Sequence, residues 1–312
     1  MSLLSLLIAL MAEKSLSSSI WRFNYYYQQY VSFFQKNATL SKLKDSTLSY
    51  TIFLLLPAVV VYVVLDLVGN GLLHLIISTL ILIVSFGCST TRDTYKQYLH
   101  AAFRGEQTTS ELYHKQLLQD KNLPEMGFGQ ALIWLNYRYY IAIILVFVFF
   151  GATGVVFYRL LTTAIENQNG CTLDSSPADE DEDTQSVNTD ELSDAEFESN
   201  NVEHSVPDIS SGCKNYHDIL FYLDWLPVRI TSFGYMFVGH FSKAFPMWLE
   251  SLFDGSKSTH KVLIDVAQKS EDIMLEEEDC TAEPCLLVRL AKRNVLLMLA
   301  VVSVFTLLGM IA

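Results

Sequence analysis

Long apolar runs separated by shorter polar stretches dominate this 312-residue chain. The runs at residues 50–67, 72–88 and 139–163 are each about as long as a helix needs to cross a bilayer. A further run, residues 294–312, follows a basic cluster. This pattern predicts an all-α, polytopic membrane protein with about four transmembrane helices.

The first two runs are joined by Val68–Gly71, whose sequence VGNG is typical of a turn, so they should form a helical hairpin. Residues 1–12 are apolar but lack the basic start and the small-residue cleavage site of a secretory signal, so no processing is expected. They are also short for a crossing. We interpret them as a helix packed against the bundle or partly inserted, with a fifth span as the alternative.

An aromatic-rich segment follows at Trp21–Phe34, where eight of fourteen residues are aromatic. Such rings are enriched at headgroup depth, where one edge meets lipid and the other meets water. The segment predicts an interfacial helix, with ligand stacking as a second interpretation.

The composition agrees with a membrane protein, because 51% of the residues are hydrophobic and the mean hydropathy is +0.27. The formal net charge of −13 comes from one stretch: residues 166–208 hold fourteen Asp or Glu and no Lys or Arg. A stretch so polar cannot bury enough apolar surface to fold alone, so it predicts a disordered acidic linker. Its acids do not have the spacing of a calcium-binding EF-hand loop.

Together these patterns divide the chain into seven parts. They are N-terminal apolar and aromatic helices (1–49), a transmembrane hairpin (50–88), a polar helical loop (89–138), a transmembrane helix (139–163), the acidic linker (164–212), an interfacial or re-entrant helical region (213–293) and a C-terminal transmembrane helix (294–312).

The basic residues predict the orientation. Lys and Arg are frequent in residues 13–49 and 89–138, so the positive-inside rule places both in the cytoplasm. Four crossings then put residues 164–293 outside. The basic residues at 289–293 argue against this, and a re-entrant passage through Phe221–Leu252 would return the following segment to the cytoplasm, so both arrangements stay open.

Four of the five cysteines fall in the same disputed region. Cys171 and Cys213 bracket the acidic run, while Cys280 and Cys285 are close in sequence, so two disulfides are conceivable in an oxidising compartment. Four unpaired thiols are the alternative. No convincing zinc pattern is present.

Common catalytic signatures are absent from the sequence: there is no G-x-x-x-x-G-K loop, no H-E-x-x-H and no G-x-S-x-G. The most informative segment is instead Phe221–Leu252, which is too charged to cross a bilayer cheaply and too apolar for an exposed loop. Within it, Pro227 is expected to break or start a helix. It should hold Asp224 and Arg229 close, as an ion pair or as a grip on a polar ligand.

Other polar residues occur at similar depth. The sequence G-H-x-x-K at Gly239–Lys243 should place a histidine and a lysine on one helical face. A charge-paired interfacial scaffold and a binding pocket are the two interpretations of these residues. The predicted pocket is a polar recess lined by Glu13, Asn136, Arg138, Asp224, Arg229, His240 and Lys243, with no catalytic and no metal-binding residue assigned.

These residues belong to segments that resemble a known family. The chain resembles the AmpE-like inner-membrane proteins, which belong with the CobD/CbiB membrane enzymes of cobalamin assembly. The acidic run resembles an insertion relative to that family. The resemblance lies in MSLLSLLIALMAEK, QYLHAAFR, ALIWLNYRYY, LDWLPVRI, GHFSKAFPMWLESL and the apolar C-terminal run, and is most specific in LDWLPVR followed by GHxxKAxPxW.

The resemblance implies a multi-pass protein of the bacterial inner membrane that regulates inducible β-lactamase. Its implied partner is an amidase that recycles cell-wall muropeptides, beside the lipid bilayer itself and a small-molecule ligand of unknown identity. The CobD/CbiB enzymes instead use ATP and a metal to join an amino-alcohol, or its phosphate, to a corrinoid carboxylate. ATP is therefore the cofactor that the resemblance suggests, and no nucleic-acid partner is expected.

The chain departs from the synthases at their acidic elements. Where they carry an N-T-L-D-S-M-like element after Tyr158-Arg159, this chain has Leu160–Ile165 without the Asn and the Asp. An Asp-Asp pair is replaced by single acids, and an early Asp-Pro element is lacking, which leaves Glu13. A synthase without these metal-coordinating acids should be weak or inactive.

We therefore interpret the chain as a regulatory or signalling membrane protein without catalytic turnover. An ATP-dependent amide-forming synthase is the alternative. A transporter ranks third, because the apolar runs show neither an intramembrane charge nor an internal repeat.

Overall fold

The protein is all-α, as predicted. The computed structural model describes residues 2–15, 21–36, 47–69, 71–87, 89–167, 210–253, 257–271 and 282–310, and none of these residues forms a strand. The helices are α1 (Ser2–Ser15), α2 (Phe23–Lys36), α3 (Thr47–Val68), α4 (Leu72–Ser85), α5 (Ser89–Phe103), α6 (Gln107–Asp120), α7 (Phe128–Asn136), α8 (Ala142–Glu166), α9 (Ser210–Val238), α10 (Phe241–Phe253), α11 (Thr259–Ser270) and α12 (Ala282–Leu307).

Two predictions fall on residues that lie outside this description. The acidic run is one, since residues 168–209 are not described. The disulfides are the other: Cys171 and Cys280 lie outside the described residues, and so does the side chain of Cys213. Cys285 is described, and its Sγ lies 3.7 Å from the Tyr95 hydroxyl.

The centre of the molecule is the run from Phe128 to Glu166, which comprises α7, a π-helical turn at Tyr137–Ile141 and α8. Its apolar residues are buried on nearly every side. A helix that is hydrophobic all round must be surrounded, and here α3, α4 and α9 pack against α8 while α12 packs against α7. The central run therefore carries the core to which the other helices attach.

Two backbone irregularities interrupt the central run. The π-helical turn lies between α7 and α8. Within α8, Gly151 adopts a φ of +66°, a left-handed angle that glycine reaches without a Cβ clash. Both change the direction in which the following side chains point.

Pro227 does not end a helix, so that prediction was wrong. α9 runs from Ser210 to Val238 through the proline. A proline inside a helix removes one backbone hydrogen bond, which costs stability but does not forbid the helix. Here Val228 and Tyr235 are fully buried, and α9 packs against α8, α11 and α12. Tertiary burial outweighs the local cost.

Two helical stretches among the described residues are long and apolar enough to cross a membrane, one within Leu72–Phe103 and one within Phe128–Glu166. Leu3–Glu13 and Ile52–Val68 are shorter apolar helices. α3 and α12 also expose large apolar side chains, such as Val60 and Phe305, as lipid-facing helices do. These features fit an all-α membrane protein, while the number of four crossings stays a prediction.

α1 packs against α4. It buries Leu6 and Ala9 and leaves Leu4, Ile8 and Met11 exposed. This agrees with the interpretation of residues 1–12 as a helix attached to the bundle. Whether the helix spans the bilayer stays open.

Candidate functional site: a buried charged cluster

The central run and α9 enclose a group of charged and phenolic side chains, which we call the charged cluster. It holds three cations and two carboxylates, with tyrosines between them. Its members are Lys121, Tyr137, Arg138, Tyr139, Tyr158, Arg159, Glu166 and Asp224.

Asp224 joins three elements of the bundle. α9 places the side chain against the central run, where it is 1% exposed. Its Oδ1 accepts hydrogen bonds from the hydroxyls of Tyr137, at 2.7 Å, and Tyr158, at 3.0 Å. Burial raises the pKa of Asp224 to about 6, although the Arg138 guanidinium and the two phenols favour its ionised form. The carboxylate is therefore mostly ionised at neutral pH and holds the π-helical turn, α8 and α9 together.

Glu166, at the C-terminal end of α8, forms the second acidic centre. Its carboxylate accepts hydrogen bonds from the Tyr139 hydroxyl at 2.8 and 2.9 Å. The Lys121 Nζ lies 3.5 Å from the same carboxylate and 2.5 Å from the Tyr139 hydroxyl. Arg138 Nη1 is 4.0 Å away. Glu166 is thus satisfied by a phenol and two cations.

The two arginines are less well matched. Arg138 is 1% exposed and stacks 5.1 Å from the Trp134 ring; among the described residues its Nε and Nη2 have no hydrogen-bond partner. Arg159 is 5% exposed, and its Nε and Nη1 have no partner within the same part of the chain. Its guanidinium lies over the rings of Tyr139, at 4.7 Å, and Phe23, at 5.3 Å. Buried guanidinium N–H groups without acceptors are costly, so they mark an unusual site.

The π-helical turn explains how one short sequence supplies so many contacts. Each of four consecutive residues, Tyr137 to Tyr140, has a polar contact: Tyr137 with Asp224, Arg138 and Tyr139 with Glu166, and Tyr140 with Glu13. Such turns occur frequently at functional sites. In this chain the turn sends its first three side chains into the charged cluster.

The fourth side chain contacts a separate ion pair. Tyr140 donates a hydrogen bond to Glu13 Oε1 at 3.2 Å. Glu13 also pairs with Arg92 at 2.8 Å, and the glutamate is 8% exposed against 41% for the arginine. This pair ties α1 and α5 to the central run.

The comparison with protein families decides what this chain is related to. Residues 1–183 and 205–312 match the model of a family described as "Regulatory signalling modulator protein AmpE". The chain belongs to the AmpE family. The unmatched residues 184–204 lie inside the acidic run, as expected for an insertion.

A relative of that name agrees over a shorter stretch. The protein named "Protein AmpE" from Shigella flexneri is 35% identical over 94 residues, which make up 29% of this chain and 32% of that protein. The aligned part thus spans about a third of the relative. No solved structure matches the chain. The resemblance to AmpE is confirmed, and the description of the family agrees with the expectation of a regulatory signalling protein, while the relation to CobD/CbiB stays a prediction.

The predicted recess of this AmpE-family chain is divided among several places. Arg138 and Asp224 belong to the charged cluster. Asn136 directly precedes Tyr137 of the cluster, and its buried Oδ1 has no hydrogen-bond partner among the described residues. Among the described residues, the polar contacts of Glu13 are with Arg92 and Tyr140, so Glu13 lies outside the cluster.

Arg229 does not pair with Asp224. Five residues apart on one helix, the two side chains point in directions about 140° apart. Arg229 instead donates to the carbonyl oxygens of Ser251, at 3.0 Å, and Leu252, at 3.4 Å, which end α10. It also stacks on Trp225 at 4.0 Å. Its position is that of a cation capping a helix C-terminus.

His240 and Lys243 lie away from the cluster. Both side chains are exposed, at the start of α10. The backbone N–H of His240 donates to the Ser270 carbonyl at 2.7 Å, which joins α10 to the end of α11. No group of three His, Cys, Asp or Glu side chains within the described ranges is placed to hold a metal ion.

Sequence reasoning missed Arg159, Glu166, Lys121 and the three tyrosines. Glu166 was counted with the acidic run. Arg159 lies inside the longest apolar run, and a charged residue there is by itself a signal for function. The statement that the apolar runs lack an intramembrane charge was therefore wrong.

Proposed function

We propose that this protein modulates β-lactamase induction from the bacterial inner membrane, and that the charged cluster is its working part. The family is described as regulatory, which supports the modulating role. The observation that carries the proposal is Asp224, an ionisable group held between α8 and α9 by two phenols. No step of catalytic turnover is part of the proposal.

The arrangement suits a switch between two packings. Asp224 and Glu166 each connect different elements: Asp224 is held by two phenols, and Glu166 lies within 4.0 Å of Lys121 and the buried Arg138. A change in the charge inside such a site alters the free energy of packing of every element attached to it. In this proposal a signal acts by changing that charge balance, and the helices respond.

The test measures β-lactam-induced β-lactamase activity in a strain deleted for this gene. The strain is complemented with the wild type, Asp224→Asn or Asp93→Asn at matched membrane levels. Asp93 is an exposed acid on α5, 64% accessible and paired with the exposed Lys96, so it controls for the chemical change. We expect deletion to alter induction, Asp93→Asn to restore it and Asp224→Asn to fail.

Two results would contradict the proposal. Unchanged induction after deletion would remove the regulatory role. Full restoration by Asp224→Asn would leave the role in place and remove the charged cluster from it.

The amidase that recycles muropeptides is the proposed partner. The support is family resemblance alone. Affinity purification of the full-length tagged chain from solubilised membranes should recover amidase activity above that of an unrelated tagged membrane protein. Equal recovery from both would sink the partnership.

The proposed location is the inner membrane, crossed several times, with residues 164–293 outside. Apolar helices and the basic residues of 13–49 and 89–138 support it. A variant that keeps Cys280 as its sole cysteine should react with a membrane-impermeant thiol reagent in spheroplasts. Labelling only after lysis would place this segment in the cytoplasm.

A further inference from the structure

Arg159 is the most poorly compensated charge of the cluster. Its contacts are with the faces of the Phe23 and Tyr139 rings, which attract a cation but do not accept a directed hydrogen bond from the guanidinium. Within the described part of the chain, two of its three guanidinium nitrogens are buried without a hydrogen-bond partner. Asp224 Oδ1 and the Glu166 carboxylate are already occupied by phenols or by another cation.

Arg138 offers a second edge of the same kind. Its Nη1 lies 4.0 Å from Glu166, while its Nε and Nη2 are buried without a hydrogen-bond partner in the described ranges. The indole N–H of Trp134, over which Arg138 stacks, also has no acceptor among these residues. Both guanidinium groups lie beside the Tyr139–Glu166 pair: Arg138 Nη1 is 4.0 Å from Glu166, and Arg159 is 4.7 Å from the ring of Tyr139, whose hydroxyl donates to Glu166.

We propose that the charged cluster binds a phosphate group between Arg138 and Arg159. Four unmatched guanidinium nitrogens on two forks suit a ligand that presents three or four oxygen atoms, since a single carboxylate has only two. Charge points the same way: Lys121, Arg138 and Arg159 face two carboxylates, so one positive charge is left for an anion. The proposal rests on the proposed function, in which this cluster is the working part, and it names the chemistry of the signal.

The phosphate group has two possible sources, a free phosphate in solution or the headgroup of an anionic phospholipid. The aromatic helix α2 lies beside the proposed site. Its Phe23 ring packs against Arg159, and its Tyr25, Tyr26 and Phe33 side chains are exposed. The recognising groups are the same in either case. The experiment has an arm for each source.

The experiment uses the full-length chain, as wild type, Arg159→Gln, Arg159→Lys and Arg92→Gln. Arg92 pairs with Glu13 outside the cluster, so Arg92→Gln controls for loss of an arginine. In the first arm, delipidated protein in neutral detergent is titrated with inorganic phosphate, with chloride at equal ionic strength as the reference. In the second arm, each chain in nanodiscs of phosphatidylcholine is compared with the same chain in nanodiscs containing phosphatidylglycerol, by headgroup phosphorus NMR.

We expect saturable binding of phosphate by the wild type and by Arg92→Gln. Arg159→Gln should weaken it about tenfold or more, because it loses charge-assisted hydrogen bonds, and Arg159→Lys should fall between the two. A change of the headgroup phosphorus signal that occurs only in phosphatidylglycerol nanodiscs, with the same dependence on Arg159, would assign the phosphate group to a lipid. Circular dichroism checks that each variant is folded.

The proposal is overturned if neither arm shows binding that depends on Arg159. Water filling the site would give that result. Failure of the proposed function is a separate outcome: phosphate binding that depends on Arg159, together with induction unchanged by deletion of the gene, would keep this site and remove the regulatory role.

Discussion

At the scale of single residues, Asp224 is the acceptor on which two buried phenols depend. Replacing it by alanine leaves the hydroxyls of Tyr137 and Tyr158 without their acceptor, at about 1–3 kcal/mol each. We expect Asp224→Ala to lower the free energy of unfolding by about 2–5 kcal/mol and Asp224→Asn, which keeps one oxygen, by clearly less. Unfolding in mixed detergent micelles measures this, with Asp93→Asn as the control near zero.

Arg229 gives a second prediction, which separates a structural from a ligand-binding role. Arg229→Ala should lower the free energy of unfolding by about 2–4 kcal/mol, because it removes the bonds to the last carbonyls of α10 and the contact with Trp225. Arg229→Lys should recover part of this loss, since a cation at a helix C-terminus remains. If both variants unfold like the wild type but fail to support induction, Arg229 acts in the recess instead.

The sequence revealed some residues of the site and hid others for a physical reason. Arg138 and Asp224 stand out because each is a charge beside apolar residues. Grouping them with Glu13 failed because the π-helical turn points Arg138 and Tyr140 to different neighbours, and such a turn has no clear sequence signature. Arg159 could have been predicted from the rule that a charged residue inside an apolar run usually has a functional role.

At the scale of the elements, the meeting of α9, α10 and α11 depends on one glycine. A Cβ on Gly239 would press on the backbone carbonyl of Ser270, which cannot move aside without shifting the end of α11. Gly239→Ala should therefore lower the free energy of unfolding by about 1–3 kcal/mol. Gly71→Ala is the matched control, because a Cβ there meets nothing within 4 Å and its φ is −98°. Equal stability of the two variants would contradict this packing.

Element positions were more predictable than element ends or contacts. The apolar run at 50–67 lies on α3, most of the run at 72–88 lies on α4, and the run at 139–163 lies on the end of the π-helical turn and on α8, because apolar length alone marks such helices. The last of them extends backwards to Phe128, since α7 is apolar and continuous with it. Pro227 misled the sequence reading because burial along α9, which single-residue rules do not include, stabilises the helix around it.

At the scale of the whole molecule, the family match predicts which part of the chain is dispensable. Residues 184–204 lie between the two matched parts of the chain, 1–183 and 205–312, and belong to neither. Deleting them should leave the melting temperature in detergent within about 2 °C and leave induction unchanged, because shortening a long connection changes the entropy of chain closure only slightly. Loss of induction with an unchanged melting temperature would instead give the acidic run a role of its own.

At Gly151 the backbone leaves helical geometry, so a change in its torsion angles would rotate the second half of α8 as a rigid segment. Residues 152–166 form about 22 Å of helix beyond the glycine, at 1.5 Å per residue. A rotation of only about 10° at this joint would carry the far tip sideways by about 4 Å, which is more than the length of a hydrogen bond. Arg159 and Glu166 both lie on this segment. A small change in backbone torsion in the apolar middle of the protein would therefore make or break polar contacts at the end of α8.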